Sequence, residues 1–479
     1  MSGEHSDRAN TPAAPGDTDE PVVPEGADLL AEVAEYAHAF LRTARPMHPR
    51  APEHLKNLLG GSIPTAGNDQ ETTLRRLIDA GEAGLLPSGG SHSFGYVVGG
   101  ALPIGTASDW LVSLWDQCAA VYDTSPLASV AEDVCERWLT ELFGLPDHTV
   151  MGLSSGCTTA NLVCLAAARQ HQLHAAGWDA NEQGMRHSPR LTVLIGQHTH
   201  VSVLRCLRLL GLGGRIGRVD AGDDGRMNVR HLAELADHAP GGLIVCAQVG
   251  STDCGSVDPL PEIAAITHQH GGWLHLDAAF GMWASASPAL RPLLNGLEHA
   301  DSWATDGHKW LNTPYDCGIA LCAHPETFRE AVGFSADYLN TTPRAGRDPM
   351  DYRVEISQRA RVLTLWATLH HLGRDGIADM IERNCEATRT LAQLLSREPG
   401  IDLLAPVTLN QALLGIGDEP TTRRIIDTLN SNGSCWVTPT TWHDQPAVRI
   451  SVTNWQSGPR SAEHTAAAFL RAHRDHHSP

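Results

Sequence analysis

Of the 35 basic residues in this chain of 479, two are lysines, Lys56 and Lys309, and the other 33 are arginines. Arginine supplies surface charge as well as lysine does, so a retained lysine raises the question of what it does that arginine cannot. The chemical answer is to lose its proton and attack a carbonyl, forming a Schiff base. Lys56 sits in the amphipathic His54-Leu55-Lys56-Asn57-Leu58 and reads as a solvated helix face. Lys309 stands in Ala300-Asp301-Ser302-Trp303-Ala304-Thr305-Asp306-Gly307-His308-Lys309-Trp310, flanked by Gly, His and Trp. That apolar setting predicts partial desolvation, a depressed pKa and a free amine.

Three other clusters carry chemistry of a matching kind. In His275-Leu276-Asp277-Ala278-Ala279 an acid ends an apolar run, 32 residues before Lys309. A carboxylate there costs desolvation energy unless a cation faces it, and a protonated pyridine nitrogen is such a cation. The bland alternative is an aspartate capping the next helix. The run Ser154-Ser155-Gly156-Cys157-Thr158-Thr159 precedes a helical pattern; its small residues and hydroxyls suit a phosphate at a helix N-terminus, though a Ser/Thr-rich cap looks the same. In Gln197-His198-Thr199-His200-Val201-Ser202 an imidazole can stack on a flat heteroaromatic ring, or simply serve as a loop residue.

The elements that must position these residues alternate in the α/β manner. Leu191–Ile195, Gly242–Ala247 and Gly272–Leu276 are short apolar runs, separated by helix-like stretches at His231–Asp237 and Glu262–His270. Such alternation predicts a mostly parallel sheet covered on both faces, with ligands at the carboxyl ends of its strands. The expected organisation is a disordered arm over 1–28 and an N-terminal segment over 29–110. A large cofactor domain follows over 111–365, then a small α+β domain over 366–479. Helical spacing runs from Ala27 to Arg42; Arg45 to Ser91, broken by Pro and Gly, reads as irregular.

Composition narrows the class. A net charge of −20 argues against nucleic acid and anionic membranes as partners, and no apolar run reaches transmembrane length. The polar opening Met1-Ser2-Gly3-Glu4-His5-Ser6-Asp7 is read as lacking a secretory leader, which makes the cytoplasm the expected compartment. The 11 cysteines are scattered, without a C-x-x-C pair, and the 26 histidines form no metal-binding motif.

A phosphate cup, a stacking histidine, an aspartate and a lysine, in that order at strand ends of one sheet, is what pyridoxal 5'-phosphate (PLP) requires. At these residues the chain resembles the group II PLP-dependent amino-acid decarboxylases, of the aspartate-aminotransferase fold (fold type I), from about Ser91 to Asn384 and more weakly beyond. Ser154 to Asn161 resembles the family's T-S-G-G-T-E-A-N phosphate loop, His200-Val201-Ser202 its H-x-S, and Gly250-Ser251-Thr252 its G-T-T. Asp277 and Ala279 match its H-V-D-A-A, His308-Lys309-Trp310 its H-K-W, and Ser357 to Trp366 its G-R-R-F-R-A-L-K-L-W helix. The resemblance implies PLP as an internal aldimine on Lys309, Asp277 at the ring nitrogen, and His200 and Ala279 on the ring faces. It implies phosphate contacts from Ser155, Gly156 and Thr158, with Cys157, Thr252 and His308 also at the cofactor. It further implies a homodimer sharing the active site, and a substrate wall that includes His92, Phe94 and Tyr96.

The chain departs from the family pattern in three places. Cys157 replaces a glycine and Gln358 an arginine. The loop tyrosine that protonates the quinonoid carbanion in aromatic-amino-acid decarboxylases falls here near Pro349, with Tyr352 three residues on. Decarboxylation of an amino acid is the leading expectation. Oxidative deamination to an aldehyde, or β-elimination on a natural-product intermediate, is the alternative from the same site. A degenerate, non-catalytic fold would not require both Lys309 and Asp277. Arg449, in Ala447-Val448-Arg449-Ile450, suits a substrate carboxylate; a carboxylate so held is stabilised against leaving as CO₂. The loop from Phe334 to Met350 is also expected to shape the substrate site.

Overall fold

Apolar runs bounded by glycine or polar residues become strands, and the stretches between them become the helices that cover the sheet. The computed structural model describes residues 27–42, 52–86, 88–333 and 346–477. The arm expected over 1–28 lies outside these except for its last two positions, which open a helix; the loop expected to shape the substrate site lies outside them from 334 to 345. The described residues up to Leu86 and those from 88 onward form separate compact units.

The first unit holds α1 (Ala27–Arg42), α2 (Pro52–Leu59) and α3 (Gln70–Gly84). The last two fall where the sequence reads as irregular. Asp69 caps α3 by accepting the Thr72 N–H, and that cap, not apolar periodicity, starts the helix.

The second unit runs through α4 (Pro103–Trp115), α5 (Pro126–Phe143), β1 (Val150–Ser154), α6 (Cys157–Ala175), α7 (Ala180–Gln183), β2 (Leu191–Gly196) and α8 (Val201–Leu209). Next come β3 (Ile216–Val219), α9 (Val229–Asp237), β4 (Gly242–Gln248), α10 (Leu260–Gln269), β5 (Trp273–Asp277), β6 (Ser302–Asp306), β7 (Gly318–Cys322) and α11 (Pro325–Val332). It closes with α12 (Val362–Leu395), β8 (Asp402–Leu403), β9 (Gln411–Gly415), α13 (Glu419–Ser431), β10 (Thr438–Trp442), β11 (Gln445–Ser451) and α14 (Pro459–His477).

Seven strands form one sheet in the order β1-β7-β6-β5-β4-β2-β3, and four form a second in the order β10-β11-β9-β8. In the large sheet β2 to β6 are mutually parallel and β7 runs antiparallel to both neighbours, so the sheet is mostly parallel, as expected. Alternate residues enter two separate cores: Leu243 and Val245 on one face, Ile244 and Cys246 on the other with α6. The small sheet is antiparallel, with a core of its own under α13 and α14. Helix α12, which carries Trp366, is broken at Gly373.

Candidate active site

The parallel strands β2, β4, β5 and β6 end at one edge of the large sheet, and β1, antiparallel to β7, ends there too. Register places Gln248, Asp277 and Ala304 side by side across β4, β5 and β6. Beyond that edge lies a cavity of about 400 Å³, lined among others by Tyr96, His200, Thr252, Asp277, Lys309 and Arg449. His200, Thr252, Asp277 and Lys309 meet because β2, β4, β5 and β6 end together, while Arg449 reaches the cavity from β11 of the small sheet and Tyr96 from a bend.

Lys309 follows β6, whose last residue is the buried Asp306. Its Nζ lies 3.3 Å from Asp306 Oδ2. Burial disfavours the ammonium, but Asp306, then Cys157 and Asp277, outweigh it, so the pKa is raised. The depressed pKa expected from the apolar flanks is therefore corrected: a carboxylate three residues upstream reverses the sign. Asp306 Oδ1 also accepts the Cys157 N–H at 2.6 Å, and His308 Nε2 lies 3.6 Å from Oδ2. His308 itself accepts the Cys317 N–H through Nδ1 and packs its ring on Tyr315 at 4.3 Å.

Asp277 is 6% exposed and ends the fully buried strand β5. The hydrogen bond to its side chain comes from the Cys157 thiol, 3.5 Å away. Cys157 opens α6, and Gly156 before it offers no side chain to cap the first-turn amides. Ser155 Oγ lies 3.3 Å from Thr159 Oγ1 and 3.5 Å from Glu355 Oε1; Thr158 is exposed at the same turn.

His200 caps α8. Its Nδ1 accepts the Ser202 N–H and lies 2.8 Å from Ser202 Oγ, so in the neutral ring Nε2 carries the proton. Burial lowers its pKa against the pull of Asp277, which keeps the imidazole neutral near pH 7. Arg449, on β11, directs Nη1 to the Thr252 carbonyl at 3.4 Å and has a buried Nε without a partner. Its guanidinium carbon is 5.9 Å from the Tyr96 ring centre.

Ala279 lines the cavity as well. Three expected substrate residues lie elsewhere. Phe94 is 1% exposed within the core under the small sheet. Tyr96, two residues on, reaches the cavity because its φ of 56° breaks the extended alternation. His92 faces His464 at 5.1 Å, and Tyr352 packs on Phe328 beneath the Arg347 guanidinium.

The sequence reading missed the roles of Asp306, Gln248 and Phe280 and the close approach of Gly99. A Cβ on Gly99 would lie 2.0 Å from the Lys309 carbonyl, so only glycine passes there. Gly250, at φ 85°, would clash with Phe280. For Asp306 the signal was available, since an acid three residues before a lysine faces it across one turn.

This donor set fits PLP. A buried carboxylate with one weak thiol donor needs a cation such as a protonated ring nitrogen. The lysine beside it, the hydroxyls and small residues at the start of α6 and a neutral imidazole match an aldehyde, a phosphate and a ring face.

Comparison with known proteins agrees. The family model described as "Pyridoxal-dependent decarboxylase conserved domain" matches residues 52–411. Aromatic-L-amino-acid decarboxylase of Mus musculus is 26% identical over 456 residues, covering 89% of this chain and 92% of that one. Phenylacetaldehyde synthase of Arabidopsis thaliana is 26% identical over 430 residues, covering 84% and 85%. L-2,4-diaminobutyrate decarboxylase of Rhizobium meliloti is 32% identical over 315 residues, covering 64% and 61%. The structure of Oryza sativa TDC with PLP and tryptamine shares the fold, with TM-score 0.87, 21% identity and coverage of 96% and 99%. The chain belongs to the pyridoxal-dependent decarboxylase family. It is a PLP-dependent carbon–carbon lyase of amino-acid metabolism.

Proposed function

We propose that this enzyme decarboxylates an amino acid at the cavity beyond β4, β5 and β6, with its cofactor attached to Lys309. The observation that carries this reading is that Lys309 and Asp277, distant in sequence, line one cavity with His200. Bound there, PLP supplies an electron sink for the electron pair left when a bond at Cα breaks. Asp277 would hold a proton on the ring nitrogen, with His200 and Ala279 placed to contact the ring. Ser155, Gly156 and Thr158 receive the phosphate at the start of α6, with Cys157, His308 and Thr252 beside the cofactor. Arg449 and Tyr96 form the substrate-side wall of the cavity. Lys309 Nζ and His200 Nε2 are the atoms positioned to hand a proton to Cα.

A second reading is oxidative deamination to an aldehyde, in which O₂ is consumed and ammonia and peroxide appear with CO₂. Two observations favour it. Tyr352, nearest the place of the family's loop acid, packs on Phe328 away from the cavity, and a phenylacetaldehyde synthase is among the relatives. The cysteines, all free and all but Cys118 buried, suit a reducing compartment, and we place the enzyme in the cytoplasm. The exposed apolar residues of α4 and α5 support a homodimer, with the chain organised into the large and small domains expected on either side of residue 365.

The test is to incubate the loaded enzyme in air with a panel of amino acids, measuring CO₂ and ammonia in the same tubes. CO₂ without ammonia establishes decarboxylation; ammonia with CO₂ establishes the second reading; ammonia without CO₂ points to β-elimination and overturns both. Borohydride reduction and peptide mapping should find the pyridoxyl group on Lys309, and its absence from that peptide would falsify both.

A further inference from the structure

Cys157 is engaged at both its main chain and its side chain. Its amide donates to Asp306 Oδ1 at 2.6 Å and its thiol to Asp277 Oδ1 at 3.5 Å. Asp306 in turn contacts Lys309 Nζ. One residue therefore ties together the two carboxylates on either side of the lysine. The thiols of Cys164, Cys206 and Cys322 donate to main-chain carbonyls instead. Among the described residues Cys157 is the one cysteine whose thiol meets a carboxylate. Burial, then the charges of Asp277 and Asp306, push its pKa well above the ordinary thiol value. It is therefore an S–H donor, and an ionised carboxylate can only accept.

We propose that Cys157 is a positioning residue: by donating to Asp277 it fixes that carboxylate and draws off part of its charge, setting how tightly Asp277 holds the proton on the cofactor's ring nitrogen. This rests on the reading above, in which Asp277 faces that nitrogen. A strongly held proton makes the ring a stronger electron sink, so the thiol moderates the sink. The other titratable groups that interact with the same carboxylate are Lys309 after β6, His200 at the start of α8, Cys206 on α8, Cys246 on β4 and His275 on β5, while Asp306 acts on the Cys157 thiol itself. A residue that merely filled space under α6 would affect stability and leave the carboxylate's chemistry unchanged.

The first measurement needs no cofactor. The infrared S–H band of Cys157, isolated as the difference between the native protein and C157A, should move to higher frequency in D277N, where the acceptor is neutral. An unmoved band overturns the inference. The second is a pH titration of the absorbance of the loaded enzyme. In C157A the ring-nitrogen transition should rise by about one pH unit, roughly a tenfold change in proton affinity, and C157S should bring it back. A titration unmoved in C157A overturns the inference even if the variant melts earlier. If the native protein shows no Lys309-linked absorbance, the functional reading fails, and the infrared result still decides whether the thiol donates to Asp277.

Discussion

Arg449 shows how a single residue's surroundings set its use. Its guanidinium is buried, makes one long bond to the Thr252 carbonyl and keeps Nε without a partner. An unpaired buried donor is costly unless an anion completes it, and a planar carboxylate matches the guanidinium fork. Arg449→Gln should raise KM about 10- to 100-fold, the loss of a charge-assisted bond, with a smaller change in kcat. Steady-state kinetics checks this, and an unchanged KM would remove Arg449 from the substrate site. Lys309 was legible as the reactive amine from its rarity and flanks. Its raised pKa was overlooked although Asp306, three residues upstream, offered the signal; the structure shows Oδ2 turned back to 3.3 Å from Nζ. Phe94 and Tyr96 show a limit of the sequence: one reaches the small-sheet core and the other the cavity, and a left-handed backbone at Tyr96 decides it.

At the scale of elements, two buried polar connections hold the site's scaffold. The stretch from Arg347 to Arg353, just after the undescribed loop residues, is pinned to α5. Arg353 bonds Glu132 at 3.0 Å, both at most 2% exposed, and Arg347 bonds Glu136. Arg353→Met leaves the buried Glu132 with only the longer 3.9 Å contact to Arg347 and should cost about 3 kcal/mol. Adding Glu132→Leu should recover most of that, since a pair replaced by apolar groups of similar volume is nearly neutral. Denaturant unfolding of the two single variants and the double variant measures the coupling.

The second connection is His275 on β5, fully buried between Asn161 of α6 (2.8 Å) and Ser302 of β6 (2.9 Å). Burial lowers its pKa from 6.5 to about 4. The unfolded chain therefore binds a proton between those values that the folded chain refuses. Its contribution to stability is complete above pH 6.5 and is lost as the pH falls to about 4, roughly 3 kcal/mol in all. Thermal melts across this range should show that slope, and His275→Asn should flatten it. The strands that carry these residues were visible as apolar runs, and part of α2 as the amphipathic stretch around Lys56; α3 was not, because it starts at the Asp69 cap inside a stretch broken by Pro and Gly.

At the scale of the whole molecule, the apolar surface calls for a partner. Trp110, Leu111, Leu114 and Trp115 of α4 and Leu127, Val130 and Trp138 of α5 are exposed, and Trp138 stacks on the exposed Trp366 at 6.3 Å. Both helices pack on α12, so these side chains lie on neighbouring elements. An apolar area of this kind marks a protein interface. Sedimentation should give a dimer, and Leu114→Asp with Trp115→Glu should shift it toward monomer and lower activity. A native monomer with full activity would refute this.

Taken by itself, the sequence determined the alternating strand and helix pattern, the apolar cores and the identity of the reactive groups. Those depend on residue type and near-neighbour periodicity, which one dimension records. Only the tertiary structure decided which groups meet. The Asp306 carboxylate on Lys309, the Cys157 thiol on Asp277, the buried guanidinium at Thr252 and the placing of Tyr96 but not Phe94 at the cavity all come from strand register and backbone turns. Such contacts join residues up to about 200 positions apart, and their energies depend on distances of a few ångströms that no local pattern encodes.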